Sequence, residues 1–206
     1  MTEPITRPRD RRADRKLQTF RRIQGEAIRL FLAKGFENTT VEEVAAAAGV
    51  SHMTVYRHFP TKESLVLTDE WDALAPAAIR NRPPQEGPLD AVEGAFLDLL
   101  ANVSDDDIEM IKVRLSLALS NPDLQAASLF NTLDTVQVIL DALRERGVGD
   151  PETLHVVATT AVAISGLAAV EWSRQGHHAS LPELLRDRFA TLRRVVAAST
   201  GSGAAV

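Results

Sequence analysis

With 206 residues, 45% apolar and 25% charged, the chain has the composition of a soluble globular protein and the length for one sizeable domain or a small one joined to a larger one. It has no cysteine, which excludes disulfides, zinc–thiolate sites and thiol catalysis. The net charge of −5 hides an asymmetry: residues 1–62 carry 12 Lys or Arg against 7 Asp or Glu, whereas residues 63–206 carry 11 against 21, so a basic end suited to a polyanion precedes an acidic remainder.

The first 15 residues hold two prolines and many charges and are expected to form a basic, flexible arm. From Leu17 the spacing of Phe20, Ile23, Ala27, Leu30 and Phe31 is helical, and Gly35 closes that helix. Thr40 stands three residues before Glu43, a capping box that starts a second helix at Val41, with Val44, Ala45 and Ala48 on its apolar face. Gly49 is placed for a left-handed cap, and Ser51 then caps a third helix through Val55, Tyr56 and His58 that stops at Pro60. Helix, glycine turn and helix make a helix-turn-helix, with Val44, Val50, Val55 and Phe59 as its core.

Thr61 caps a fourth helix expected to run unbroken through Leu65 and Trp71 toward Ile79, before the Pro- and Gly-containing run 82–88 breaks the chain. The rest reads as helices: one over 89–103, one from the acidic start at Asp105, Asp106 and Asp107 to Asn121-Pro122, and a longer one ending at Gly147. That longer helix carries a stripe of Leu129, Leu133, Val136, Leu140 and Leu143. Asp150-Pro151 opens another, to about Gln175, and a Ser180/Glu183 capping box opens the last, with 200–206 as a disordered tail. The expectation is an all-α protein of nine helices. Its divisions are the arm 1–15, a helix-turn-helix domain 16–62, a larger domain 63–199 and the tail. The polar, basic N-terminus is no secretory leader, and the longest uncharged apolar run, 156–170, falls short of the roughly 18 residues of a membrane span. The expected location is therefore the cytoplasm, with no membrane partner.

Phe31, Gly35, Phe36, Thr39-Thr40-Val41, Val44-Ala45, Ala48-Gly49-Val50-Ser51, Thr54, Tyr56, His58-Phe59, Lys62-Glu63 and Leu65 resemble, in order and spacing, the N-terminal motif of TetR-family transcriptional regulators. The resemblance implies three helices for DNA and the rest for ligand binding and dimerisation, with neither enzyme activity nor cofactor. The partners it implies are double-stranded DNA with a palindromic operator, a second copy of the chain, and a small-molecule effector that releases a repressor from its operator. On that motif the DNA-contact candidates are Thr40, Ser51, His52, Met53, Thr54, Tyr56, Arg57, His58 and Lys62. Residues at the start of a reading helix face base edges, so His52, Met53 and Thr54 are the readers. Thr or Met suits a thymine methyl, and His a purine edge. Thr40, Tyr56, His58 and Lys62 are placed for phosphates. Arg57 is either a phosphate contact or a surface charge, Tyr56 either a contact or core, and the arm arginines have a narrow minor groove as one destination.

The larger domain carries no motif. By helix face alone its pocket candidates are Trp71, Phe96, Leu100, Met110, Arg114, Leu117, Phe130, Leu133 and Trp172. Arg114 is either an anchor for an apolar, acyl-type anion or a structural ion-pair member. The fourth helix is the expected lever between Lys62 and the body of that domain. Ala158, Ala161, Ser165, Gly166 and Ala169 allow close helix packing, within the chain or across a dimer. A rival reading is a helical-bundle metal protein or enzyme built on Glu152 and His155, a Glu-x-x-His pair of the kind di-metal bundles use in duplicate. Only one such pair occurs, in a first helical turn where Glu is expected for dipole reasons, and His177-His178 lack a third ligand at sensible spacing.

Overall fold

The computed structural model describes residues 11–101, 103–174 and 180–201, with the side chains of 11–14, 70–72, 130 and 199–201 excepted. All regular structure among them is helical: α1 (Arg11–Lys34), α2 (Val41–Ala47), α3 (His52–His58), α4 (Ser64–Leu67), α5 (Glu70–Arg80), α6 (Pro88–Leu100), α7 (Asp105–Ser120), α8 (Pro122–Arg146), α9 (Pro151–Arg174) and α10 (Leu181–Gly201). The chain divides into two compact units, Met1–Glu70 and Trp71–Val206.

In the first unit, α1 supplies Ile23, Ala27, Ile28 and Phe31 to a core completed by Val41, Val44, Ala45, Val55, Phe59, Leu65 and Val66, all buried. Burying each Val, Ile, Leu or Phe side chain among these stabilises by about 1.5–3 kcal/mol. Phe59 is 0% exposed and its ring centroid lies 4.5 Å from that of Phe20. The turns take the forms their glycines permit: Gly35 at φ 88° ends α1, and Gly49 at φ 61° ends α2. Beyond α2, the Gly49 N–H donates to the Ala46 carbonyl and the Val50 N–H to the Ala45 carbonyl, the paired bonds of a Schellman end. The capping box is present as read, with the Glu43 N–H on the Thr40 hydroxyl and the Thr40 N–H on the Glu43 carboxylate.

Three expectations change here. Helix α1 begins at Arg11, so part of the expected arm is helical, and residues 1–10 lie outside the described residues. The fourth helix is two, giving ten helices among the described residues where nine were expected. Helix α4 ends because Thr68 is extended, at φ −74° and ψ 133°. The buried Gln24 amide donates to the Leu65 carbonyl (3.2 Å) and the Thr68 carbonyl (2.9 Å), filling acceptors that a continuing helix would use itself. No local sequence signal marks that stop, because the donor comes from α1. The single lever from Lys62 into the body of the larger domain is thus interrupted at Thr68.

In the second unit α9 is the hub, packed against α6, α7, α8 and α10. Its Leu154, Ala158, Ala161, Ala168 and Trp172 join Ile79, Val92, Ala95, Ile139, Leu140, Leu143, Leu185 and Phe189 in one core. Ala158 and Ala161 are therefore intramolecular packing residues. The expected caps form: Asn121 opens α8, Gly147 at φ 68° closes it, Asp150 accepts from the Glu152 and Thr153 N–H groups, and Ser180 and Glu183 cap each other ahead of α10. Val136, Leu140 and Leu143 of the α8 stripe are buried, but Leu129 and Leu133 are 62% and 57% exposed. The stripe turns inward only along the second half of that helix. Arg146 fastens the α5–α6 connection, its guanidinium donating to the carbonyls of Ile79, Arg82, Pro83 and Glu86 while its Nε is buried without a hydrogen-bond partner.

One exclusion drawn from the sequence also needs correcting. Helix α9 is long and apolar enough to cross a membrane by length and composition, with a mean hydropathy of 1.7 over its best window. The uncharged run 156–170 is short because His155 and Glu171 bound it, whereas a window of 18 residues that admits a charged residue is apolar enough. Its buried face at the centre of the second unit gives it a packing role without a bilayer, although only 22% of that window is buried inside the chain.

Candidate nucleic-acid interface and ligand cavity

Helix α3 is held from below and bare above. Val55 and Phe59 are 0% exposed and anchor it to the core of the first unit, whereas Met53 is 65% and Tyr56 41% exposed and Ser51, His52 and Arg57 are exposed too. No acidic residue lies in its first turn, and Arg57 and His58 stand in its last. The imidazole of His52 meets the Tyr56 ring edge-on, centroids 6.4 Å apart, so the two form one raised ridge.

The remaining contact candidates divide by how far the fold already engages them. Ser51 accepts the Thr54 N–H at 3.2 Å and shares a hydroxyl–hydroxyl bond of 2.9 Å with Thr54, which is half-buried. Of the three expected readers, His52 and Met53 project freely, and Thr54 is tied into the cap. The Thr40 hydroxyl is likewise part of its capping box, beside a Glu43 carboxylate held below its usual range by Lys34 and then by the Thr40 N–H. The Lys62 ammonium lies 4.3 Å from the centroid of the Phe36 ring and donates to the Glu37 carbonyl, which sets its half-buried side chain in one direction. His58 is half-buried, edge-on to Phe20 at 6.5 Å; burial first, then the charges of Arg57 and Lys16, lower its pKa.

The second unit contains a half-open cavity of about 460 Å³ lined by Leu100, Val103, Ile108, Ile111, Lys112, Trp172, Ser180, Leu181, Pro182 and Glu183. Of the nine pocket candidates, Leu100 and Trp172 line it. Phe96, Met110 and Leu117 are half-buried elsewhere, Leu133 is exposed, and the side chains of Trp71 and Phe130 lie outside the described residues. Arg114 is buried and engaged within the chain but is not in this lining, where the cation is Lys112. Its ammonium sits 5.4 Å from the Trp172 ring centroid and pairs with Glu109 at 2.6 Å. Glu183 is held below its usual carboxylate range by the Ser180 N–H and hydroxyl, so it enters the lining as a satisfied anion. Reading helix faces missed Lys112 because α7 scatters its apolar residues Ile108, Met110, Ile111, Val113, Leu115 and Leu117 among charged ones such as Glu109, Lys112 and Arg114, so no face could be singled out. The Ser180/Glu183 pair was visible, but as a cap.

Glu152 and His155 are both exposed, and among the described residues no group of three or more His, Cys, Asp or Glu side chains is placed to hold a metal. His177 and His178 lie outside the described residues. Among the described residues, therefore, Glu152 and His155 are not joined by further metal ligands.

Comparison with known proteins covers both units. The model of bacterial regulatory proteins of the tetR family matches residues 23–68, and that of the MftR C-terminal domain matches residues 86–197. The regulator TcmR of Streptomyces glaucescens is 42% identical over 108 residues, 51% of this chain and 48% of its own length, so the chain spans about half of that relative. The mycofactocin biosynthesis transcriptional regulator MftR of Mycobacterium tuberculosis is 30% identical over 189 residues, 88% of this chain and 93% of that protein. A transcriptional regulator of Aquifex aeolicus, solved by crystallography, covers 86% of this chain and 99% of its own, with 18% identity and a TM-score of 0.49. A family model spanning more than half of the chain and a relative matched nearly end to end agree with the helix-turn-helix read from its residues: the chain belongs to the TetR family of transcriptional regulators.

Proposed function

We propose that the protein is a dimeric one-component repressor that leaves its operator when a small molecule occupies the second unit. The observation that carries the DNA half is α3, anchored at Val55 and Phe59 and presenting His52, Met53 and Tyr56 on a face free of acidic side chains. His52 and Met53 read base edges in the major groove, while Tyr56, Arg57 and Lys62 fix the register on phosphates. Thr54 and Ser51 serve reading indirectly, by capping the helix that carries the readers. Repression is the direction the family resemblance favours, and neither catalysis nor a cofactor is part of the reading.

A second copy of the chain is the partner that the apolar surface of α9 and α10 suits. Val156 and Leu167 on α9 are 57% and 68% exposed, and Val195 and Val196 on α10 are 58% and 54% exposed. The two helices pack on each other, and each leaves apolar side chains uncovered. An apolar surface of this kind on a water-exposed chain marks an interaction site. A two-fold pair is the arrangement that would set two reading helices roughly 34–36 Å apart on a palindrome. Effector control then requires that the ligand bind DNA-competent and DNA-incompetent states with different affinity, since equal affinity shifts nothing.

The decisive experiment is a gel-shift titration against the DNA upstream of the protein's own gene at 50 and 200 mM salt. Binding should retard one discrete species and weaken steeply with salt, and a His52→Ala/Met53→Ala double variant should lose preference for that DNA over random sequence. Equal affinity for both DNAs in the unsubstituted protein would refute the reading. Sedimentation of a Leu167→Glu variant checks the dimer, which should dissociate.

A further inference from the structure

We propose that the cavity beside Trp172 is a receptor site for a small apolar monocarboxylate, with Lys112 as the group that grips the carboxylate. The inference rests on the effector-responsive reading above and names the ligand class that reading leaves open. At about 460 Å³ the cavity lies in the range of small-molecule sites, and most of its lining is apolar: Leu100, Ile108, Ile111, Trp172 and Leu181 lead it. An apolar body is therefore what it takes in.

The charge of the ligand follows from how its two ionic side chains are held. Glu183 already accepts from the Ser180 N–H at 2.9 Å and the Ser180 hydroxyl at 2.8 Å, and giving these up would uncap α10. Lys112 is held differently. Its side chain is 20% exposed and packs over Trp172, while Glu109, its ion-pair partner, is 69% exposed. A pair with one arm in water contributes little, so a ligand carboxylate displaces Glu109 at small cost and gains a charge-assisted hydrogen bond in a drier setting. A cationic ligand meets the opposite situation, because the Lys112 ammonium already covers the Trp172 face and repels it. A neutral amphiphile fills the same volume without the ionic contact. A single anionic head is favoured over a dianion, since Glu183 faces the same space.

Isothermal titration calorimetry of the full-length protein with decanoate and decyltrimethylammonium below their micellar concentrations, and with 1-decanol below its solubility limit, tests this. Decanoate should bind tighter than decanol by about tenfold, and decyltrimethylammonium weakest. A Lys112→Met variant should lose the preference for decanoate while keeping decanol affinity, and Glu109→Gln should tighten decanoate by up to about fivefold by removing its competitor. Because the chain has two tryptophans, Trp71 and Trp172, a Trp71→Phe background makes Trp172 the fluorescence reporter, and decanoate should shift its emission. Decanol or the ammonium binding as tightly as decanoate overturns the proposal, as does an unchanged preference in Lys112→Met or no effect at Trp172. The ligand series and Glu109→Gln decide the matter even if Lys112→Met does not fold. Operator release is measured separately: decanoate-saturated protein that still retards DNA would refute the effector reading and not the site.

Discussion

The two units of this protein keep their chemistry in different places. In the first, all the groups proposed to act except Lys62 stand on one short helix, within a run of seven residues, and the fold supplies a platform: Val55 and Phe59 at 0% exposure beneath His52, Met53 and Tyr56. In the second, the cavity draws on α6, α7, α9 and α10, with Leu100 and Glu183 separated by most of the unit's length. A local site depends on caps and on one anchoring face, whereas a distributed site depends on how four helices pack. The two should therefore fail in different ways when residues are changed.

The largest expected effect separates them. Phe59→Ala removes a wholly buried ring that packs on Phe20 and should destabilise the first unit by about 3–5 kcal/mol, abolishing DNA binding. Leu140→Ala, at 1% exposure in the core of the second unit, should cost about 2–5 kcal/mol there. Amide hydrogen exchange resolves which unit loses protection in each variant. If Phe59→Ala loosened α8 and α9 as much as α1 to α3, the separation of the units would be refuted.

Arg146 is the sharper probe of the distributed region. One guanidinium serves four carbonyls, that of Ile79 in the last turn of α5 and those of Arg82, Pro83 and Glu86 in the connection to α6. Arg146→Met should cost about 1–3 kcal/mol through the acceptors it strands. Exchange should rise at residues 81–87 and the first turn of α6, with α1 to α3 unaffected. Gly94 belongs to the same neighbourhood, since a Cβ there would fall 2.6 Å from the Arg82 guanidinium and dislodge it from Glu86 and Asp98.

The same contrast explains what the sequence made legible. Capping and turn chemistry are local, so Thr40, Gly49, Ser51, Asn121, Gly147, Asp150 and Ser180 all marked real helix ends. The family motif lies in the local unit for the same reason. What escaped was set by partners distant in sequence. Gln24 ends α4 from 41 and 44 residues away, turning one expected lever into two helices. Lys112 enters the cavity and Arg114 does not, a difference set by the packing around α7 that a helix mixing charged and apolar residues without a clear face does not record. Leu133 shares the periodic stripe that made it a pocket candidate and is exposed, because periodicity shows a stripe without showing where its cover ends.

Smaller effects test the reading surface itself. Met53→Ala and His52→Ala should each cost about 1–3 kcal/mol toward the operator, with little change toward random DNA. Lys62→Met should weaken binding to both alike and lower the salt slope by about one ion. Fluorescence anisotropy with paired operator and random duplexes at several salt concentrations measures both. Thr54→Val offers the sharpest contrast with the exposed readers. If Thr54 acts only through the cap with Ser51, helix stability falls and operator preference does not.

The smallest effect is a pH dependence from His58. Burial against Phe20 and Phe59, with the charges of Arg57 and Lys16, lowers its folded pKa below 6.5. Between the folded pKa and 6.5 the unfolded chain binds the proton more readily, so stability there rises with pH. The contribution is complete above pH 6.5 and is lost as the pH falls through the folded value. Thermal unfolding of the first unit should therefore shift down between pH 7.5 and 5.5 in the unsubstituted protein, beyond any shift in His58→Gln. Protonation also gives α3 a second cation beside Arg57, so DNA affinity should move the opposite way, tightening over the interval in which the platform weakens. Stability and affinity that fell together with pH, or a His58→Gln variant with the full shift, would show that His58 is not the titrating group.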